Sequence, residues 1–241
     1  TSDLDLHIDG NNATVAGGRG DDHLHVSGTG NLIAGGKGND LIEVGGTDNV
    51  VDYRAGDGID ALRNLAATGT AIRFGAGIAQ SDIRLRLEGG DLVIGIGAGA
   101  DSAIRLTGFD PQRPFDQPAI AELRFADGSS LTYGELLALG LEVAGTEGDD
   151  AMAGTGLNDR LLGLAGNDVL HGAAGDDVLS GGDGDDVLNG GAGSDVLSGG
   201  AGSDTYEYNA GSGTDTFVDA HGGRIELGMG IALSGIGVQR D

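Results

Sequence analysis

Seven consecutive nine-residue repeats, spanning residues 145–207, constrain this chain more than any other feature of its sequence. Every repeat begins with Gly, and position four is also Gly in all but one. Position six is always aspartate: Asp150, Asp159, Asp168, Asp177, Asp186, Asp195 and Asp204. Position eight is always large and apolar: Met152, Leu161, Leu170, Leu179, Leu188, Leu197 and Tyr206. A period this short predicts a stack of small units, each of which contacts only its neighbours.

The last three residues of a repeat favour a short strand with only the middle side chain turned inward. The first six must form a turn, because glycines permit positive φ angles and close backbone approach. Two repeats then make one coil of 18 residues, and strands two repeats apart stack in parallel about 4.8 Å apart. With five Phe, four Tyr and no Trp, the chain suits the narrow core of such a coil. We therefore predict an all-β fold of right-handed parallel β-rolls.

The same register recurs, degraded, near the start of the chain. GGRGDDHLH covers residues 17–25 and GGKGNDLIE covers 35–43, with VSGTGNLIA between them. Position six is occupied in turn by Asp22, Asn31, Asp40 and Asn49. A longer duplication overlies the repeats: residues 49–62 align with 204–217, and 72–85 with 225–238. We therefore expect two rolls, each followed by a copy of one flanking segment.

The flanking segment loses the nine-residue period and has other signals. Residues 83–97 alternate as a hairpin, 102–107 form a strand, and RFADGSSLT places a turn at Asp127-Gly128. Thr132 and Glu135 form a capping box for a short helix that ends at Gly140. This segment would cover the open edge of the first roll. We predict four parts: a first roll (1–65), a flanking segment (66–143), a second roll (144–220) and a truncated second flanking segment (221–241). The sequence shows no signal peptide, and we expect it to be a piece of a longer protein.

The charge is strongly acidic, with 38 Asp and Glu against 13 Lys and Arg, a formal net charge of −25. This charge argues against nucleic acid and anionic lipid as partners, and no apolar run reaches the roughly 18–20 residues that span a bilayer. A solvated acidic surface and intrinsic disorder are the general interpretations. The spacing indicates bound cations instead, because the coil stacks Asp168 over Asp186 and Asp177 over Asp195.

Two carboxylates about 5 Å apart repel by ~3 kcal/mol at an effective dielectric of about 20. Calcium placed between them reverses this effect, since it accepts six to eight hard oxygen ligands in flexible geometry. Magnesium requires a smaller and stricter octahedron. Zinc prefers nitrogen or sulfur ligands, and the chain has no cysteine. The expected cofactor is therefore several calcium ions.

GGDGDDVLN and GGAGSDVLS resemble the RTX, or haemolysin-type, calcium-binding nonapeptide GGxGxDxUx. The resemblance implies an ion between turns n and n+2, held by both position-six aspartates. It also implies carbonyl ligands from positions two and four of one turn and positions one and three of the other. For Asp168–Asp186 these carbonyls belong to Leu164, Gly166, Gly181 and Asp183. For Asp186–Asp204 they belong to Gly182, Gly184, Gly199 and Ala201. The remaining carbonyl candidates of this block are Gly175, Gly190, Gly191, Ala192 and Gly193.

The first block carries fewer of these residues. Asp22 over Asp40 forms one pair, with carbonyl candidates Gly18, Gly20, Gly35 and Lys37. Asn31 over Asn49 offers only neutral side-chain oxygens, so a site there is doubtful. GDGID (56–60) and GSGTD (211–215) resemble the closing turn of the family, which makes Asp60 and Asp215 candidates.

The sequence contains no HExxH and no GxSxG motif, and without cysteine it cannot use thiol chemistry. We therefore expect a module without enzymatic activity. The RTX resemblance implies a secreted bacterial protein exported by a type I secretion system, unfolded at low calcium and folded by calcium outside the cell. It favours a toxin that could bind a host-cell receptor, and the alternatives are a surface adhesin and an extracellular hydrolase. Residues 66–143 also resemble the haemolysin-type calcium-binding-related segment of RTX proteins.

Overall fold

The computed structural model describes residues 3–97, 101–111, 120–219, 221–229 and 231, without the side chains of residues 64–67. The chain divides into two compact units, Thr1–Leu139 and Gly140–Asp241. Among the described residues the structure has 23 β-strands, one α-helix and one short 3-10 helix. The prediction of an all-β fold made of parallel β-rolls is confirmed. No helix in this described part has the length and hydrophobicity to cross a membrane.

The second unit is a two-sheet roll. Its strands are β14 (Glu142–Ala144), β15 (Ala151–Ala153), β16 (Arg160–Ala165), β17 (Val169–His171), β18 (Val178–Asp183), β19 (Val187–Asn189), β20 (Val196–Ala201), β21 (Thr205–Tyr208), β22 (Thr216–Val218) and β23 (Arg224–Leu227). Successive strands alternate between the sheets β14-β16-β18-β20-β22 and β15-β17-β19-β21-β23. Every described pair is parallel, and Leu170 pairs with Leu188, which confirms the predicted coil of two repeats.

The inward column at position eight forms the core of this roll. Leu161, Leu170, Leu179, Leu188 and Leu197 are 0% exposed, and Tyr206 closes the column at 1%. The strands of the two sheets differ in length. Strands such as β17 have the predicted three residues, whereas β16, β18 and β20 have six. The three-residue prediction is wrong for these three strands, because the ladder continues into the turn and, for example, also pairs Leu164 with Gly182.

The first unit contains two sheets of the same kind. Its strands are β1 (Asp5–Asp9), β2 (Thr14–Arg19), β3 (His23–Ser27), β4 (Leu32–Lys37), β5 (Leu41–Thr47), β6 (Val50–Tyr53), β7 (Ile59–Thr68), β8 (Ala71–Phe74), β9 (Ile83–Glu88), β10 (Asp91–Ile96), β11 (Ala103–Leu106), β12 (Glu122–Arg124) and β13 (Ser130–Thr132). The spatial orders are β1-β3-β5-β7-β11-β10-β9 and β13-β12-β8-β6-β4-β2. Strands β1 to β8 pair in parallel and form the coils.

The flanking segment continues both sheets of the first unit. Strand β11 joins β7 in parallel, and β10 and β9 follow as an antiparallel hairpin, as predicted. Strand β12 joins β8 and pairs with β13 across the Asp127-Gly128 turn. Helix α1 (Tyr133–Leu137) begins at the predicted capping box of Thr132 and Glu135. The segment thereby occupies the sheet edges that β7 and β8 would otherwise expose.

One coil in each unit is two residues longer than a pair of repeats. Leu41 pairs with Ala61 in the first unit, and Val196 pairs with Thr216 in the second. Each long coil carries the same hydrogen bond: Tyr53 donates its hydroxyl to the Gly58 carbonyl at 2.5 Å, as Tyr208 does to Gly213 at 2.6 Å. The duplicated segments 49–62 and 204–217 therefore share local structure as well as sequence.

The predicted second flanking segment, residues 221–241, is described only in part. Strand β23 pairs with β21 as β8 pairs with β6, in agreement with the duplication. Residues 230 and 232–241, and with them most of the predicted alignment of 225–238, lie outside the described residues.

Candidate metal centre

The position-six aspartates form two stacked columns in the second unit. One oxygen of each carboxylate, Oδ1, accepts a hydrogen bond from a backbone N–H of the preceding coil. The donor is the residue at position six of that coil, or at the equivalent position. Asp168 N–H donates to Asp186 Oδ1 at 2.8 Å, and Asp186 N–H donates to Asp204 Oδ1 at 3.0 Å. The other column continues the pattern from Asp177 to Asp195 and from Asp195 to Asp215. The predicted stacking of coil on coil is therefore confirmed.

The other carboxylate oxygen, Oδ2, is the unusual atom. Among the aspartates that the structure describes, seven bury this oxygen without a hydrogen-bond partner: Asp22, Asp40, Asp168, Asp177, Asp186, Asp195 and Asp204. A buried acceptor without a donor costs about 1–3 kcal/mol, and more when it is charged. Seven unpaired oxygens of one kind, at the same position of the repeat, fit a positively charged ligand.

All seven orphaned oxygens lie in turns of one backbone type. Positions two and four of these turns have positive φ, from +82° at Leu164 and Ala173 to +155° at Gly193. Leu164 and Ala173 adopt this left-handed conformation although they are not glycines, which is uncommon and costs energy. The stacking of these coils therefore holds leucine and alanine, as well as glycine, in the left-handed turn.

Position one is Gly because another oxygen approaches it. A Cβ atom on Gly163 would lie within 3.0 Å of both Asp168 Oδ2 and the Gly181 carbonyl oxygen of the next coil. A Cβ on Gly172 would meet Asp177 Oδ2 and the next carbonyl in the same way. A carboxylate oxygen and a main-chain carbonyl oxygen thus converge beside the Cα atoms of Gly163 and Gly172.

Burial raises the pKa of several of these carboxyl groups. It raises the pKa of Asp177 to about 7 and that of Asp186 to about 6, and neighbouring carboxylates in the column add to the effect. The N–H donated by the preceding coil opposes both shifts. Burial likewise raises the pKa of Asp60 to about 7 and that of Asp215 to about 6. Without a cation, the ionised columns are therefore unfavourable.

The first two turns of the second unit satisfy their aspartates differently. Asp150 Oδ2 accepts the Thr146 N–H at 2.6 Å and the Thr146 hydroxyl at 2.9 Å. Asp159 Oδ2 accepts the Thr155 N–H at 2.5 Å and the Thr155 hydroxyl at 3.0 Å. Both threonines occupy position two, which has negative φ in these turns.

The Asn31–Asn49 column of the first unit is also fully hydrogen-bonded. Asn31 N–H donates to Asn49 Oδ1 at 2.9 Å, as in the aspartate columns. The Asn49 side-chain nitrogen donates to the carbonyls of Gly28 and Gly45, both at 3.1 Å. The side-chain NH2 group of each asparagine therefore supplies the donors that the aspartate turns lack. Neither Asn31 nor Asn49 leaves an acceptor that needs a cation.

Sequence reasoning missed a second ladder, at position five. Here the side-chain Oδ1 accepts the N–H of the position-five residue one coil later, as Asn167 does from Asp185 at 2.8 Å. Asp176 accepts from Ser194, and Asp185 from Ser203, at 2.8 and 2.7 Å. The signal was present, since position five is Asp, Asn or Ser in every repeat of the block.

These residues fit the predicted calcium ligands. The donors are hard oxygens only: two aspartates per site and the main-chain carbonyls of two turns, as calcium prefers. Among the described residues, no three His, Cys, Asp or Glu side chains group as a metal site, and the main-chain carbonyls of the turns are the further oxygens that such a site could use. The aspartates stack in this way in three columns: Asp22–Asp40–Asp60, Asp168–Asp186–Asp204 and Asp177–Asp195–Asp215. When bound, the ion would supply positive charge to the orphaned Oδ2 atoms.

Comparison with known proteins agrees with the site. A family model described as the RTX calcium-binding nonapeptide repeat (4 copies) matches residues 26–60, 144–179, 153–188, 171–206 and 180–217. No curated protein matches this chain. Among solved structures, the chain is similar to the extracellular lipase LipA from Serratia marcescens, with 21% identity and a TM-score of 0.32. The likeness covers 86% of this chain but only 38% of the lipase. Residues 26–60 and 144–217 are thus RTX calcium-binding nonapeptide repeats, of the kind typical of secreted proteins.

Proposed function

We propose that this chain is a non-enzymatic, calcium-folded module of a larger secreted protein. One observation carries the proposal: seven buried aspartate oxygens have no hydrogen-bond partner, and all lie in turns of the same left-handed type. Calcium would be held between Asp22 and Asp40, between Asp40 and Asp60, and along the two columns from Asp168 to Asp215. The carbonyls of positions one to four of the same turns would complete each site.

The charge of the chain explains its dependence on calcium. Stacked carboxylates repel by ~3 kcal/mol per pair, and the formal net charge of −25 adds a general repulsion. At the low calcium of the cytosol, the glycine-rich chain stays unfolded and can pass through a type I secretion channel. Calcium outside the cell binds only the folded state and shifts the equilibrium toward it.

We further propose that the parent protein is a toxin, exported in this way, whose other parts contact the host cell. Only the RTX resemblance supports this step, and it also fits a surface adhesin or an extracellular hydrolase. The sequence of the complete protein distinguishes them. An apolar region with acylated lysines favours a toxin, a long repeat array an adhesin, and a catalytic motif a hydrolase. We also propose that the chain has the four parts predicted above: a first roll (1–65), a flanking segment (66–143), a second roll (144–220) and a second flanking segment (221–241).

A calcium titration followed by circular dichroism tests the proposal. In chelator we expect little β-structure, and millimolar calcium should produce a cooperative gain that millimolar magnesium does not reproduce. The variant D186N should gain less stability from calcium than the unmodified chain, because it removes a ligand. Its control is D185N, which makes the same charge change at the exposed neighbouring position. A chain already fully β-structured in chelator, or equal shifts in both variants, would contradict the proposal.

A further inference from the structure

We propose that the first two turns of the second unit, residues 145–153 and 154–162, bind no calcium and act as a calcium-independent cap for the turns that follow. In this cap, Thr146 and Thr155 take the place of the ion, so that Asp150 and Asp159 are not calcium ligands. The inference rests on the proposed function, since it states which turns of the repeat block use calcium and which do not.

The carboxylates of the first two turns differ from the others in their hydrogen bonding. In the third to seventh turns, Oδ2 of the position-six aspartate is buried without a partner. In the first two turns, the same atom accepts two hydrogen bonds from one threonine, through its N–H and its hydroxyl. The hydroxyl is in turn an acceptor, for the N–H of Gly148 or Leu157, at 3.2 Å in both turns. These carboxylates therefore have their donors without a cation.

The backbone of the first two turns also differs from that of the calcium-type turns. A β-branched residue such as threonine is strongly disfavoured at positive φ. Positions two and four of these turns keep negative φ, in contrast to the next five turns. Their carbonyls are consequently oriented differently from those of Gly182 and Gly184, which are candidate ligands in the calcium-type turn. Position four of the second turn is Leu157, which is 6% exposed and so adds apolar contact where the other turns have glycine.

The cap nevertheless offers the next coil the same backbone hydrogen bonds and strand pairing as the other turns do. Asp150 N–H donates to Asp168 Oδ1 at 2.8 Å, and Asp159 N–H to Asp177 Oδ1 at 2.7 Å. Strand β15 pairs in register with β17, and the start of β16 pairs in register with β18. The turns from residue 163 onward can thus stack on a preformed edge, which lowers the cost of nucleating the calcium-bound roll.

The number of calcium ions bound per chain tests the inference, measured on the full chain by equilibrium dialysis with metal analysis. We expect D150N/D159N to bind as many ions as the unmodified chain, whereas D177N/D186N should lose at least two, by the pairing above. A loss of ions from D150N/D159N would overturn the inference. An unmodified chain that binds no calcium would instead refute the proposed function, so the two failures are distinguishable.

A gain of calcium gives a second readout. The variant T155G/L157G converts GTGLND into GGGGND, removes the hydroxyl that donates to Asp159 Oδ2, and permits positive φ at both positions. It should bind about one more ion, shared with Asp177. The control T155S keeps the hydroxyl and should leave the number unchanged. If T155G/L157G folds in calcium without binding a further ion, the proposed role of the threonine turn is wrong. If T155G/L157G does not fold, the ion count of D150N/D159N decides the question.

Discussion

The substitution Asp186→Asn should have opposite effects with and without calcium. Asp186 lies between Asp168 and Asp204 in its column and is 1% exposed. Its pKa is raised from 3.8 to about 6 in the calcium-free fold, first by burial and then by these neighbours. A difference of about two pKa units corresponds to roughly 3 kcal/mol against the ionised form. The repulsion of one stacked carboxylate pair, ~3 kcal/mol, has the same size.

Asparagine removes this charge and keeps the Oδ1 acceptor for the Asp168 N–H. The Asn31–Asn49 column shows that the coil accommodates asparagine at position six. We therefore expect D186N to stabilise the calcium-free fold by about 3 kcal/mol, which is a factor of about 100 in the ratio of folded to unfolded chain. In calcium the same variant should be less stable than the unmodified protein, because it has lost a ligand.

The assay is folding in chelator induced by trimethylamine N-oxide, an osmolyte that favours compact states, followed by circular dichroism. Urea unfolding in saturating calcium measures the predicted loss of stability of the calcium-bound protein. D185N is the matched control, since Asp185 is exposed and its asparagine can still accept the Ser203 N–H. If D186N fails to shift the chelator midpoint relative to D185N, the electrostatic explanation of the calcium dependence is wrong.

Three other predictions address the core, the outer ladder and the effect of pH. Leu188→Ala removes a fully buried side chain and should cost about 3 kcal/mol in urea unfolding with calcium, whereas Val178→Ala, at a position 37% exposed, should cost far less; equal costs would refute the inward column. Asn167→Ala removes the bond from the Asp185 N–H and should cost ~1 kcal/mol at every calcium concentration; a shift in calcium affinity alone would contradict this. In chelator, acidification from pH 7 to pH 5 should increase the β-structure seen by circular dichroism. Burial raises the pKa of Asp60 and Asp177 to about 7 in the fold, so the folded state binds more protons than the unfolded state, and its stability falls as pH rises through that value. In calcium the sign should reverse, because protons compete with the ion; unfolding on acidification in chelator would refute the argument.

The period of the sequence predicted the fold because one period determines both strand and turn. Position eight identified the inward column, and the coil of two repeats identified which strands pair. The alternation of three- and six-residue strands could not be predicted, since both sheets are built from the same repeat. It depends on how far each turn continues the ladder, as the pairing of Leu164 with Gly182 shows.

For the site, the sequence predicted which oxygens stack but not which of them lack donors. Thr146 and Thr155 stand at position two, which is Leu, Ala or Gly in the other repeats, and their constant position-six aspartates made these turns look equal to the others. The folded structure shows that a threonine hydroxyl and N–H reach Asp150 and Asp159. In the same way, Asn49 looked like a weak ligand, whereas its amide nitrogen is a donor to two carbonyls.

The alternation of successive strands between two sheets also limits how such a chain can change length. Each repeat moves the chain from one side of the roll to the other, so a pair of repeats returns it to the side on which it started. Insertion of two repeats would lengthen the roll and leave everything downstream in place. Insertion of a single repeat would exchange the sides for every later strand and would set β22 and β23 in each other's sheets. The repeat block can therefore grow or shrink without disturbing its C-terminal neighbour only by even numbers of repeats.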